Sequence, residues 1–144
     1  MAADAELGFG SKFQTGDGLS PETFSNMAFV TSISGPGLAR DSIDASHMLS
    51  PDEWRQFIAG LKDGGEISLE LNFRPGGSAI TVLLAELNLP SAEATKSRRV
   101  LFPDTSYFEF EAYLTGVEPE DPFDDKMTAS ATFKLSGRPF LTQV

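Results

Sequence analysis

The chain has 144 residues, no cysteine and a formal net charge of −10, because 21 acidic residues outnumber 11 basic ones. This length is close to that of one domain and allows a buried core without disulfides, so we expect a single domain spanning residues 1–144. The lack of cysteine excludes thiolate metal sites and thiol nucleophiles, and a lone histidine, His47, excludes a multi-histidine metal centre. The strong negative charge argues against a protein that grips nucleic-acid phosphates.

The N-terminal segment is acidic at its start and rich in turn-forming residues. Residues 1–6 lack the basic and apolar stretches of a signal peptide, and no apolar run of the chain approaches the roughly 18–20 residues that cross a bilayer. We therefore expect a protein that folds in the cytoplasm and does not insert directly into a membrane. Residues 1–22 are predicted to be extended or flexible, and short strands are predicted at Phe9–Phe13 and Phe24–Ile33.

Residues 34–65 are predicted to form a long loop that contains a short helix at Ser50–Gly60. Ser50 is a suitable cap, Pro51 suits the first helical position, and Glu53 follows the cap at the spacing of a capping box. Four apolar residues then recur at helical spacing and define one face: Trp54, Phe57, Ile58 and Leu61. A helix this short needs a partner surface, either the core of the same chain or a neighbouring subunit.

The rest of the chain indicates antiparallel strands. Apolar and polar residues alternate over Glu66–Arg74, Ser106–Gly116 and Met127–Leu135, and Arg98–Phe102 is a further short strand. A second helix begins at Ser78 and ends before Pro90, with Ile80, Leu83, Leu84 and Leu87 at helical spacing, and Ser91–Lys96 reads as a surface loop. The predicted fold class is mainly β, a β-sandwich or open barrel with one or two short helices.

Residue patterns for catalysis are scarce, and we predict no enzyme activity and no cofactor. His47 lies in a polar stretch, and the chain has no nucleophile elbow and no phosphate-binding glycine motif. The acidic segment Glu118–Asp125 is most simply a solvated loop. Two alternatives remain open: a calcium-dependent or carbohydrate-binding sandwich that uses this segment, and a hydrolase in which two carboxylates converge from the set Glu109, Glu111, Glu118 and Glu120.

Two further sets of side chains need partners or a role. The basic residues Lys96, Arg98 and Arg99 are expected to pair with acidic groups, within the subunit or across an interface. The polar face of the last strand is small and mostly hydroxylic: it consists of Thr128, Ser130, Thr132, Lys134 and Ser136. This face is the solvent side of an ordinary sandwich, or the lining of a channel in a closed assembly.

Several co-linear segments between about residues 27 and 139 carry a family pattern. They are TSISGPG at Thr31–Gly37, RDSID at Arg40–Asp44, His47, SPD at Ser50–Asp52, RQFIAGLKDGGEISLELNF at Arg55–Phe73, VLFPD at Val100–Asp104 and TGVEPEDPFDDKMTASATFKLSGRP at Thr115–Pro139. Together they resemble the major tail (tail tube) proteins of long-tailed, non-contractile bacteriophages and of phage-like gene transfer agents. Residues 1–22 carry none of this pattern.

The resemblance implies a structural virion protein with a tail-tube β-sandwich. Copies would form stacked hexameric rings, a hollow tube through which DNA passes from head to host cell without specific binding. Implied partners are tape-measure, tail-tip and tail-terminator proteins, and the implied location is a virion or particle tail assembled in the host cytoplasm. A secretion-system inner tube is a related alternative. The implied assembly residues are Arg40, Asp41, Asp44, His47, Trp54, Phe57, Lys62 and Asp63.

Overall fold

The computed structural model describes residues 9–16, 21, 23–27, 29–123 and 125–143. Its strands are β1 (Lys12–Gly16), β2 (Phe24–Asn26), β3 (Val30–Ser34), β4 (Ala39–Asp44), β5 (Phe57–Asp63), β6 (Glu66–Asn72), β7 (Lys96–Leu101), β8 (Tyr107–Glu120) and β9 (Thr128–Thr142). Its helices are α1 (Ser78–Leu87), the single turn α2 (Ser91–Ala94) and a 3₁₀ turn at Pro51–Glu53. Most of the predicted N-terminal segment, including residues 1–8, lies outside the described residues.

Seven strands form one antiparallel sheet in the order β2-β1-β7-β8-β9-β6-β3, and β4 and β5 form a separate two-stranded hairpin. The alternation predicted for three segments is confirmed in β6, β8 and β9. Their apolar residues are buried: Ile67, Leu69, Leu71, Phe110, Ala112, Leu114, Ala129, Ala131, Phe133 and Leu135. Strands β8 and β9 extend beyond the predicted segments, so the first part of the acidic segment is strand rather than loop.

The sheet curls so that its own face forms both sides of the core. The rings of Phe13 in β1 and Phe133 in β9 have centroids 5.1 Å apart, although β7 and β8 separate these strands in the sheet. A flat sheet would hold β1 and β9 about 14 Å apart, since neighbouring strands are spaced by about 4.8 Å. The predicted class, a mainly β sandwich or open barrel with short helices, is therefore confirmed.

Helix α1 begins at Ser78 and ends before Pro90, as predicted. Ile80 and Leu83 are buried, whereas Leu84 and Leu87 remain partly exposed, so only half of the predicted apolar face meets the core. The predicted surface loop at Ser91–Lys96 instead contains the helical turn α2 and the first residue of β7. Within the described part of the chain, neither helix has the length and apolar character needed to cross a membrane.

The predicted helix at Ser50–Gly60 is wrong. Only Pro51–Glu53 is helical, as a 3₁₀ turn, and Phe57–Asp63 is strand β5. The backbone of Asp52 and of Glu53 has positive φ, which a continuing right-handed helix excludes. Pairing of β5 with β4 supplies the backbone hydrogen bonds that a helix of two turns would have supplied locally.

Candidate assembly surface

The hairpin of β4 and β5 contains or flanks every predicted assembly residue. Its strands pair from Ala39 opposite Asp63 to Asp44 opposite Phe57, with an irregularity between Arg40 and Ser42. Nearly all of its residues are solvent-exposed on both faces. The structure therefore brings the predicted residues together on one projecting element, although their role as assembly contacts stays a prediction.

The hairpin tip, residues 45–56, is ordered by its own hydrogen bonds. The Ser46 side chain accepts a bond from the Gln56 N–H at 2.8 Å, and the Ala45 N–H donates to the Gln56 carbonyl at 2.8 Å. The Ser50 hydroxyl accepts from the His47 N–H at 2.9 Å, and His47 Nδ1 accepts from the Leu49 N–H at 3.1 Å. The lone histidine thus has a structural part in shaping the tip.

This ordered tip and its strands present apolar side chains to solvent. Trp54 is 75% exposed, Leu49 85% and Leu61 84%, and four others are exposed by half or more: Ile43, Met48, Phe57 and Ile58. The four residues predicted to share a helical face are among them, and none reaches the core. Exposed apolar side chains gathered on one projecting element are typical of an interaction surface.

An ion pair and two glycines join the hairpin to the main sheet. Lys134 Nζ in β9 lies 3.3 Å from Asp63 Oδ1, and the Gly65 N–H donates to the same carboxylate at 2.8 Å. These hydrogen bonds, from Gly65 first and then Lys134, lower the pKa of Asp63. Gly65 has φ of +71° and lies against the backbone of Gly37, where a side chain would collide. The predicted assembly residue Asp63 therefore meets the predicted channel residue Lys134.

The outer face of β6, β9 and β8 is hydroxylic and acidic. Ser130 lies between Glu70 and Glu118 in the sheet register, and Thr128 lies between Asn72 and Glu120. In β6, in β8 and in β9 as far as Ser136, Lys134 is the sole basic residue, and it is paired with Asp63. The face predicted as a channel lining is thus a real outward face without free cations along these strand segments.

The carboxylates at the two ends of β8 do not converge into a hydrolytic pair. Glu111 lies opposite Ser136 and Glu118 opposite Ser130, so they are about 23 Å apart along β8 at the usual rise per residue. Glu109 is instead paired with Arg99 at 3.6 Å. Among the described residues, no three His, Asp or Glu side chains are grouped to hold a metal ion. Asp124 of the acidic segment lies outside those residues.

The basic residues of β7 pair with acidic groups inside the subunit, which is one of the two arrangements expected from the sequence. Arg98 is fully buried, and its Nη1 lies 3.0 and 3.2 Å from the two carboxylate oxygens of Glu86 in α1. Burial lowers the pKa of Arg98, while the Glu86 charge acts in the opposite direction. Lys96 approaches the same carboxylate at 3.8 Å. This buried pair fastens α1 to the sheet, a role that the sequence pattern alone did not indicate.

Solved structures with this fold are components of tails and tubes. The tail of an empty gene transfer agent (GTA) particle, refined with C6 symmetry, has a TM-score of 0.71 at 15% identity over 96% of this chain and 100% of that one. A PVC sheath–tube complex of an extracellular contractile injection system gives 0.69 at 16% identity over 93% and 88%. The SPP1 tail tube gives 0.56 at 11% identity over 91% and 75%. The chain therefore has the tail-tube fold.

The family follows from the sequence itself. The model of the lambda phage tail tube protein family matches residues 9–142, so the chain belongs to that family. No curated protein sequence matches the chain. The chain is accordingly a tail tube protein, a structural protein rather than an enzyme. Tubes of the other kind considered above, such as that of the injection system, share only the fold with this chain.

Proposed function

We propose that six copies of this chain close into a ring and that rings stack into a hollow tail tube, through which DNA passes from the head to the host cell. The observation that carries this proposal is the β4–β5 hairpin, an ordered element whose apolar side chains are at least half exposed in the subunit. The C6 symmetry of the GTA tail structure supports the ring size.

The hairpin supplies the inter-subunit contact. Trp54, Phe57 and their exposed apolar neighbours leave water when the hairpin packs on an adjacent subunit or ring, and Arg40, Asp41, Asp44, His47, Lys62 and Asp63 form the polar rim. Head-to-tail contacts that close by rotation make a ring, whereas contacts between rings stay open and extend the tube. A growing tube of this kind has distinct ends for tail-tip and tail-terminator proteins and an interior for a tape-measure protein.

The outer face of β6, β9 and β8 lines the lumen. Thr128, Ser130, Thr132 and Ser136 offer small hydroxylic side chains that do not stack on bases, and Glu70, Glu118 and Glu120 add negative charge around them. Lys134 is held by Asp63 and so does not offer a free cation to DNA. An acidic wall repels phosphates rather than binding them, which lets DNA pass without retention.

The first experiment measures assembly of the purified full chain at rising concentration by light scattering, with negative-stain microscopy of the same samples. Trp54→Ser/Phe57→Ser should remain folded by circular dichroism and lose tube formation, because both side chains are exposed in the subunit. The matched control is Val82→Ser/Leu84→Ser, two exposed apolar residues of α1 outside the hairpin. Normal tubes from the hairpin variant, or equal loss in the control, would contradict the proposal.

The lumen is tested on assembled tubes. Ser130→Lys/Thr132→Lys places cations on the proposed lining without touching the core, because both residues lie on the outer face of β9. The variant tubes should retain short DNA duplexes in a sedimentation assay at low salt, and wild-type tubes should not. Variant tubes that retain no more DNA than wild-type tubes would show that this face does not line the lumen.

A further inference from the structure

A cleft of about 690 Å³ lies where the hairpin meets β9, and it concentrates positive charge on an acidic protein. Its charged lining includes Arg40 of β4, Lys62 of β5 and Arg138 of β9, with Leu38, Leu135 and Pro139 between them. We call this the basal cleft. Three cations around one small cleft stand out in a chain whose net charge is −10.

These cations are poorly compensated within the subunit. Arg40 and Lys62 lie directly opposite each other in the hairpin register, an arrangement of like charges that destabilises a strand pair. Neither they nor Arg138 make an ion pair with any described residue, and Arg138 instead lies 5.1 Å from the ring centroid of Phe140. Asp63 also lines the cleft, but Lys134 and the Gly65 N–H engage its carboxylate.

The opposite charge is concentrated at the other end of the molecule. The end of β8 and the connection to β9 carry Glu120, Asp121 and Asp125 beside one base, Lys126, and we call these three acidic residues the acidic turn. Thr128 begins β9 beside this turn, and Gly137 lines the basal cleft near the far end of the same strand. The nine intervening steps of extended chain measure about 30 Å, so the turn and the cleft of one copy cannot meet.

We propose that the basal cleft receives the acidic turn of a second copy of this chain. This inference deepens the proposed function and rests on it. Because donor and acceptor lie at opposite ends of β9, the contact is head-to-tail along the strand direction and leaves a free turn and a free cleft at the two ends. Such a contact repeats without closing, so it joins ring to ring and gives the tube its polarity. Complementary charge also steers the approach of each new copy.

The test exchanges the charges on each side. Arg40→Glu/Lys62→Glu reverses the cleft and Glu120→Lys/Asp121→Lys reverses the turn, all at exposed positions. Each variant alone should need at least about tenfold more protein to assemble in low salt, because it places like charges in the contact. An equimolar mixture of the two should assemble as wild type does, and so should the chain that carries all four changes. Raising NaCl to 0.5 M should shrink these differences through screening.

The matched control for the cleft variant is Lys12→Glu/Arg74→Glu, which changes the formal charge by the same amount at exposed sites away from the cleft. Tubes that form equally well from the single-sided variants, or a mixture that fails to recover, would overturn the pairing while leaving the tube itself standing. Association of the mixed variants without tubes, measured by sedimentation velocity, would support the pairing and count against the proposed function. DNA binding by the wild type that the cleft variant loses would assign the cleft to phosphates and also overturn the pairing.

Discussion

Replacing Glu86 with alanine should be among the most damaging single changes to the stability of the subunit. Glu86 is 6% exposed and provides the carboxylate for Arg98, which is 0% exposed. Its loss would leave a guanidinium buried beside the Phe133 ring, whose centroid lies 4.5 Å from Arg98 Cζ, without a counter-charge. The remaining bonds of Arg98, to the Thr15 hydroxyl and the Ala112 carbonyl, carry no negative charge.

The size of the effect follows from the burial. Removing one partner of a buried ion pair costs about 3–5 kcal/mol, out of the roughly 5–15 kcal/mol that stabilise a typical domain. For a chain of this size, that loss lowers the unfolding temperature by roughly 6–20 °C. Arg98 Nη2 has no hydrogen-bond partner among the described residues, so the pair is incompletely satisfied. Replacing both partners, as in Glu86→Leu/Arg98→Met, should therefore recover much of the loss.

Urea and thermal unfolding followed by far-UV circular dichroism measure these free energies, since Trp54 is too exposed to report on the core. Lys96→Ala is the control, because Lys96 approaches the same carboxylate from a partly exposed position and its removal should cost under about 1 kcal/mol. A loss below about 1 kcal/mol for Glu86→Ala would refute the reasoning. So would a double variant less stable than Glu86→Ala itself.

Three shorter predictions concern the core and the hairpin base. Phe13→Ala should cost about 3–5 kcal/mol in urea unfolding, because Phe13 is fully buried and joins the two sides of the curled sheet. Gly65→Ala should cost about 1–3 kcal/mol through its positive φ and the Gly37 backbone, whereas Gly76→Ala, whose methyl meets no atom within 4 Å, should cost little; equal losses would contradict this. Asp63 has a lowered pKa in the fold, so its stabilising effect is present above its unfolded value near pH 4 and is lost as pH falls through its folded pKa. Wild type and Asp63→Asn should therefore differ in unfolding at pH 6, and the difference should shrink as the pH falls below 4.

The strands of the sheet were predictable where one face of the strand is buried and the other is exposed to solvent. In β6, Ile67, Leu69 and Leu71 alternate with polar residues, and in β9 Ala129 to Leu135 do the same. An alternation with a period of two is typical of a half-buried strand, so the pattern predicts both the strand and which of its residues face outward. The part of a strand that runs beyond the alternation, such as Ser136 to Thr142 in β9, could not be predicted in this way because its residues are mostly exposed.

Neither the hairpin nor the buried arginine was predictable from the local sequence pattern. Trp54, Phe57, Ile58 and Leu61 match a helical stripe, but such a stripe indicates a helix only when the chain buries it, and here all four stay exposed. Strand β4 is exposed at every position and so carries no alternation. Arg98 sits in a basic run that indicates a surface, and its burial depends on Glu86, a partner in a different element.

The hydrogen bonds within the hairpin tip affect the rate at which subunits associate and the conformational entropy that association costs. Fixing the backbone of one residue costs roughly 1–2 kcal/mol in conformational entropy, so a tip of a dozen mobile residues would weaken each docking event by many powers of ten. In this chain the Ser46–Gln56 and His47–Ser50 bonds have already removed that freedom during folding. Association is then rigid docking of a prepared surface, with rates in the ordinary range of about 10⁵–10⁷ M⁻¹s⁻¹. The free subunit should accordingly show slowed amide exchange at Ala45 and Gln56 before any tube exists.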